Sequence, residues 1–380
     1  MAQVKPDIES FARIKVIGVG GGGGNAVTRM MRAKIRGVDF IAINTDAQDL
    51  HHAEATEKIH IGKNVTRGLG AGMNPELGRL AAEENKAEIQ EALKGADMVF
   101  VTCGLGGGTG SGAAPVVADI AREMGAVTIG IVTKPFGFEG KQRTGIAEDS
   151  MKNMQDKVDS LIVIPNDKVL AIIDKKTSLM SAFETIDDIL KQGVQGISDL
   201  ITYPGIVNVD FADVKAIMEE AGPALIGIGR ATGEDRATKA ARMAIHSPLL
   251  EIAINGAQGV LFNISGGTDL GMLEVSEAAN VITESVGGDA KIIFGAIHDD
   301  RLRKGEIKVT VIATGFGREG AKKEPNLFTR TAAQPQMQAP VPPASAHRVV
   351  VEDKNAKKYD TKQAEEADEW EIPAFIRKKK

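Results

Sequence analysis

Cysteine is almost absent from the chain. The single residue Cys103 excludes an intramolecular disulfide and any cysteine-cluster metal site. The six histidines (His51, His52, His60, His246, His298 and His347) show no HExxH or comparable ligand spacing. No apolar run approaches the roughly 18 residues that a membrane-crossing helix needs. The opening segment is polar and has no apolar leader core. A cytoplasmic protein is expected, meeting a membrane only through a partner. An excess of positive charge is also missing. The 46 Lys and Arg against 51 Asp and Glu leave a net charge of −5, which argues against a general nucleic-acid binder. The phosphate-binding pattern GxxxxGK[ST] occurs nowhere, which disfavours a P-loop NTPase.

Glycine is abundant, at 43 of 380 residues against a usual share of roughly 7%. A chain of this length accommodates two ordinary domains. Residues 13–19, 40–43, 97–102, 127–132 and 160–164 read as short buried strands. Helical patterns lie between them, at 76–93 and 113–124 among others. Apolar strands alternating with helices predict a parallel α/β sheet covered on both faces. Leu179, Phe183, Ile186, Ile189, Leu190, Val194, Ile197 and Leu200 repeat at helical spacing, which predicts a long central helix over 178–204. A smaller C-terminal α/β domain is expected over 205–317, with strands near 225–229, 257–264, 291–297 and 306–315. Residues 318–364, rich in Pro, Gln, Ala and charge, read as a disordered linker. A tail at 365–380 returns to Trp370, Ile372, Phe375 and Ile376 between acids and a basic end.

Two glycine-rich segments each follow a strand and precede a helix. Gly18, Gly20 and Gly23 satisfy G-x-G-x-x-G, and Gly20, Gly21, Gly22, Gly23 and Gly24 run together before Asn25. Such a segment lets backbone N–H groups approach a phosphate at a helix N-terminus; it also suits a tight turn packing helix on strand. The second segment, 104–112, adds the hydroxyls of Thr109 and Ser111. A dinucleotide fold needs one such loop, so two in one sheet point to a ligand carrying several phosphates.

Residues 104–112 resemble the signature loop of the tubulin/FtsZ family. The resemblance extends to Gly20–Asn25 as a run, to Asn44, Thr45 and Asp46, and to Asn208, Val209, Asp210, Phe211, Ala212 and Asp213. It covers about residues 10–318 and the tail. It implies a GTP-binding domain over 1–177 and an activation domain over 205–317. It implies that GTP or GDP is held by Gly21, Gly22, Gly23, Gly24, Asn25, Gly108, Thr109 and Gly110. Asn44, Asp46 and Gly72 then lie near the nucleotide. Thr133, with Pro135, stands by the ribose, Glu139 and Arg143 on the sugar and phosphate side, and Asn166, Phe183 and Asp187 at guanine. Chemistry agrees for part of this set. Asp187 can accept from the N1 and N2 donors of guanine, and Phe183, one helical turn away, can stack on the base. Phe183 is equally read as core and Asp187 as a solvated helix face.

The resemblance further implies a GTPase whose active site is shared between two subunits. Asn208, Asp210 and Asp213 of one subunit would act on the nucleotide of the next, with Mg²⁺ bridging phosphate oxygens. Read locally, Asp210 is instead an N-cap and Asp213 a first-turn acid of a helix starting near Phe211. The partners implied are further copies of the chain, head to tail, and membrane-anchoring or regulatory division proteins that dock on Trp370, Ile372, Pro373, Phe375, Ile376 and Arg377. No nucleic acid is implied. The function implied is assembly of a division ring at midcell. Two other readings stay open at this stage: a Rossmann oxidoreductase, and a nucleotide-dependent scaffold without hydrolysis.

Overall fold

The computed structural model describes residues 12–316 except 171, 172, 175, 203, 204, 208, 251–253, 289 and 300. Asn208, the linker and the tail therefore lie outside the described residues. In chain order the elements are β1 (Ile14–Val19), α1 (Gly20–Arg32), β2 (Val38–Asn44), α2 (Ala47–His52), β3 (Glu57–His60), α3 (Lys63–Thr66), α4 (Pro75–Glu84), α5 (Lys86–Leu93), β4 (Met98–Gly104), α6 (Gly108–Glu123), β5 (Val127–Lys134), α7 (Lys141–Gln155), β6 (Ser160–Pro165) and α8 (Asn166–Val169). The long helix α9 (Leu179–Thr202) follows. After it come α10 (Phe211–Met218), β7 (Gly222–Thr232), α11 (Arg236–Ile245), β8 (Gly259–Gly266), α12 (Met272–Glu284), β9 (Lys291–His298) and β10 (Glu306–Thr314).

One ten-stranded sheet runs β3-β2-β1-β4-β5-β6-β7-β10-β8-β9. Strands β3 to β6 pair in parallel throughout. The later part is mixed, because β10 is antiparallel to both β7 and β8 while β8 and β9 are parallel. The chain leaves β1 toward β2 on one side and later returns to β4 on the other. The border between β1 and β4 is thus a topological switch point, where α/β sheets open a crevice beyond the C-terminal strand ends.

Both faces of the parallel part are buried, so its strands are almost wholly apolar. On one face Ile14, Val16, Phe40, Phe100, Ile129 and Ile162 pack beneath α1 and α9. On the other, Ile17, Val19, Ile41, Val99 and Val101 pack beneath α4, α5 and α6. Helix α9 buries Ile186, Ile189, Leu190, Val194, Ile197 and Leu200 in the first of these cores, which continues through Leu261 and Ile312 of the C-terminal strands. A separate core lies on the outer side of those strands, under α11 and α12. Near the end of α9 the buried carboxylate of Asp199 accepts from Gln195 (2.8 Å) and Arg301 (3.3 Å), tying the helix to the β9–β10 connection.

Three local expectations change. The single helix expected over 76–93 is two, broken at Asn85, whose side-chain Oδ1 accepts from the Gly62 N–H at 2.9 Å. A short polar side chain competing for backbone partners interrupts a helix in this way. Strand β3 has no counterpart in the sequence reading; only Ile59 of its four residues is buried, as suits an edge. The third change concerns the glycine segments and bears on the site.

Candidate functional site

The five consecutive glycines are not a loop. They are the first turns of α1, which begins at Gly20 directly after β1. Likewise α6 begins at Gly108, so only residues 105–107 of the second segment connect β4 to its helix. Two things keep glycine helical here. Neighbouring backbones approach too closely for a side chain: a Cβ on Gly23 would stand 2.5 Å from the Thr102 carbonyl oxygen, and one on Gly112 would stand 1.8 Å from that of Pro75. Helix α6 is also held against the 68–75 loop by the Gly108 N–H donating to the Gly72 carbonyl at 2.6 Å.

An α-helix leaves its first N–H groups without intrahelical partners. Here neither α1 nor α6 has a side-chain cap or an acid in its first turn. Both ends open on one cleft of about 350 Å³ at the β1–β4 switch point. They are close together, since a Cβ on Gly20 would stand 3.0 Å from the Gly110 nitrogen. Two uncapped positive helix ends converging on one cavity favour an anion.

Most expected binding residues meet in this cleft. Gly21, Gly22, Asn25, Gly72, Gly108, Thr109, Gly110, Thr133, Pro135, Glu139, Arg143, Asn166, Phe183 and Asp187 all line it. Gly20, Gly107, Leu105, Ile186 and Leu190 also line it, although the sequence named none of them as a nucleotide contact. For Ile186 and Leu190 a signal was present, because they flank Phe183 and Asp187 at helical spacing.

Four expected residues lie off the lining. Gly23 packs against Thr102 and Gly18, and Gly24 faces Ala53. Asn44 is buried and donates from Nδ2 to Asp49 Oδ2 at 2.7 Å. Asp46 is the N-cap of α2, its Oδ1 accepting from the N–H groups of Gln48 (2.9 Å) and Asp49 (3.1 Å).

At the far side of the cleft Glu139 Oε1 accepts from the Phe136 N–H at 2.9 Å, while its Oε2 pairs with Arg143 Nη1 at 2.7 Å. Phe183 is 42% exposed and meets Phe136 edge to face at 5.5 Å, leaving ring surface open to a planar ligand. Asn166 Oδ1 is buried without a hydrogen-bond partner in the protein, an acceptor at the cleft wall. Burial pushes the Asp187 carboxyl up to about 6, with Arg29 opposing the rise and Asp188 and Glu184 adding to it. For Asp188, burial acts upward too, but donation from Arg29 and Lys191, each at 2.8 Å, outweighs it and holds the group below the usual carboxylate range.

Asp210 and Asp213 are elsewhere. Asp210 caps α10, its Oδ1 accepting from the Asp213 N–H at 2.9 Å, and both residues are exposed. The 24-residue α9 spans roughly 36 Å at about 1.5 Å per residue. Phe183 and Asp187 stand near its start, and Asp210 follows its end. The two carboxylates are not among the residues that line the cleft of their own molecule.

Fold and cleft together define an α/β protein built to hold a large anionic ligand at a sheet switch point. Residues 13–174 match the Tubulin/FtsZ family GTPase domain, and residues 222–317 match the FtsZ family C-terminal domain. The chain belongs to the Tubulin/FtsZ family. It is similar to an FtsZ dimer from M. jannaschii, with 45% identity and a TM-score of 0.78 over 81% of this chain and 89% of that one. CetZ2 from Haloferax volcanii, solved as a GTPgS-bound protofilament, shares the fold at 24% identity and a TM-score of 0.69, over 80% of this chain and 94% of that one. CetZ1 from the same organism, solved as a GDP-bound monomer, does so at 24% identity and a TM-score of 0.70, over 80% and 95%. No helix among the described residues is long and apolar enough to cross a membrane.

Proposed function

We propose that the chain is a GTP-dependent, filament-forming GTPase that assembles a cell-division ring and hydrolyses GTP at the junction between successive subunits. The observation that carries this reading is the split of the expected residues. The convergent helix ends and the Asn166, Phe183 and Asp187 wall share one cleft, while Asp210 and Asp213 are exposed beyond the far end of α9. Stacked head to tail, one molecule brings its α10 end to the next molecule's cleft. Such a contact does not close on itself, so it propagates.

In this reading the free N–H groups at the starts of α1 and α6 take the phosphates. Asp187 accepts from guanine N1 and N2, Phe183 stacks on the base, and Asn166 gives it an acceptor. Thr133, Pro135, Glu139 and Arg143 border the ribose. Asp210 and Asp213 of the neighbour, with Asn208, position and polarise the attacking water. Among the described residues no group of three or more His, Cys, Asp or Glu is arranged to hold a metal. A Mg²⁺ ion bound with the nucleotide would supply positive charge against the phosphates. A dinucleotide-binding oxidoreductase leaves the second helix end without a role.

The tail residues Trp370, Ile372, Pro373, Phe375, Ile376 and Arg377 are proposed to dock on membrane-anchoring division proteins, which would place a cytoplasmic filament at midcell. The deciding experiment is light scattering with GTP against GDP, with phosphate release followed in the same sample. Scattering and release that appear together above a threshold protein concentration are expected. Full-rate hydrolysis by dilute monomer would refute the shared site.

A further inference from the structure

The Asn44-Thr45-Asp46 triplet begins on the last residue of β2, and two of its side chains are accounted for by Asp49 and by the α2 cap. The middle one is not. Thr45 is fully buried, and its Oγ1 stands 2.6 Å from Oγ1 of Thr109, the second residue of α6 and part of the cleft wall. Its main chain is pinned as well, the Thr45 carbonyl accepting from Thr66 Oγ1 and lying 3.3 Å from His60 Nε2.

We propose that Thr45 is a positioning residue that orients the Thr109 hydroxyl proton toward an anion in the cleft; the proposal rests on the reading that phosphates bind there. Each hydroxyl has one proton to donate. Thr45 Oγ1 makes no other hydrogen bond in the structure, so its proton has a single acceptor within reach, Thr109 Oγ1. Were Thr109 the donor instead, the Thr45 proton would be buried without a partner, the costly arrangement. Burial therefore selects Thr45 as donor. The Thr109 proton is then left for the cleft, where it meets a phosphate oxygen beside the uncapped start of α6, whose Gly107 and Gly110 also line the cleft. Thr45 never touches the ligand, yet it makes Thr109 a donor rather than an acceptor that would repel it.

The test is a double-mutant cycle on GTP binding by the full chain, read by calorimetry. Thr45→Val keeps shape and removes the donor; about a tenfold loss of GTP affinity is expected, with guanosine binding unchanged. In a Thr109→Val background the same substitution should add no further loss, since nothing remains to be oriented. Thr45→Ser should recover GTP affinity, whereas a packing role would lose affinity there through the missing methyl group. If Thr45→Val does not fold in urea titrations, Thr45→Ala removes the same donor and is read in its place. Wild-type GTP affinity in the donor-less variant, equal losses for GTP and guanosine, or losses that multiply in the double variant each overturn the proposal while leaving GTP as the ligand. An unsubstituted chain that binds guanosine but gains nothing from the phosphates overturns the cleft reading, and this proposal with it.

Discussion

On α9, Asp187 and Asp188 share a backbone but not an environment. Asp188 is kept ionised by Arg29 and Lys191, whereas burial leaves Asp187 near neutrality, at about 6. A carboxyl that must accept from guanine has to be ionised, so binding costs a proton below that value. Between about pH 7 and about pH 5, GTP affinity of the wild type should fall roughly tenfold relative to Asp187→Asn. The nucleotide's own titration is common to both proteins and cancels in the ratio. The linkage to stability has the opposite sign. The folded carboxyl holds its proton more tightly than the unfolded one, so this group stabilises the unliganded fold below the ordinary carboxylate range, and that contribution is lost as pH rises through about 6. Asp210 separates capping from chemistry. Asp210→Asn retains an N-cap acceptor, so it should fold and bind GTP like the wild type but lose phosphate release. Asp210→Ala should lose release and also about 1 kcal/mol of stability. Retained hydrolysis in Asp210→Asn would leave the residue a cap and nothing more.

At the scale of elements, two contacts carry the site. The first is α4 against α6, set by glycine. A methyl group on Gly112 would meet the Pro75 carbonyl, a backbone atom that cannot swing away. Gly112→Ala should therefore destabilise by about 1–3 kcal/mol although alanine is the better helix former. The urea midpoint should drop at unchanged slope. The second is the seam of α9. Ile197 is fully buried in the core shared by the parallel strands and the C-terminal ones. Ile197→Ala should cost about 2–5 kcal/mol, and a single unfolding transition that shifts as a whole would show that both parts lean on this helix.

For the whole molecule, function is proposed to belong to the assembly. Turnover per molecule should rise steeply with protein concentration from a near-zero baseline, on the proposal that Asp210 and Asp213 act on a neighbour's nucleotide. Deleting residues 366–380 should leave scattering and phosphate release intact while abolishing recruitment to the membrane in cells; unchanged recruitment would remove the tail from the account.

Pattern was enough to foretell α9 and the parallel strands other than the edge strand β3, because a strand buried on both faces must be apolar throughout and a helix against a core must repeat its apolar residues every three to four positions. Asp210 as the cap before Phe211 was equally legible, since capping is local chemistry. Tertiary structure alone decided that the glycines at 20–24 and 108–112 are helical: helix propensity disfavours them, and at Gly23, Gly110 and Gly112 the backbones of Thr102, Gly104 and Pro75 leave no room for a side chain. It alone moved Gly23, Gly24, Asn44 and Asp46 off the cleft lining, and it alone joined Thr45 to Thr109 across 64 positions. A linear pattern records which faces are buried, but which backbone lies against which, and so which proton points where, depends on contacts between segments far apart in the chain.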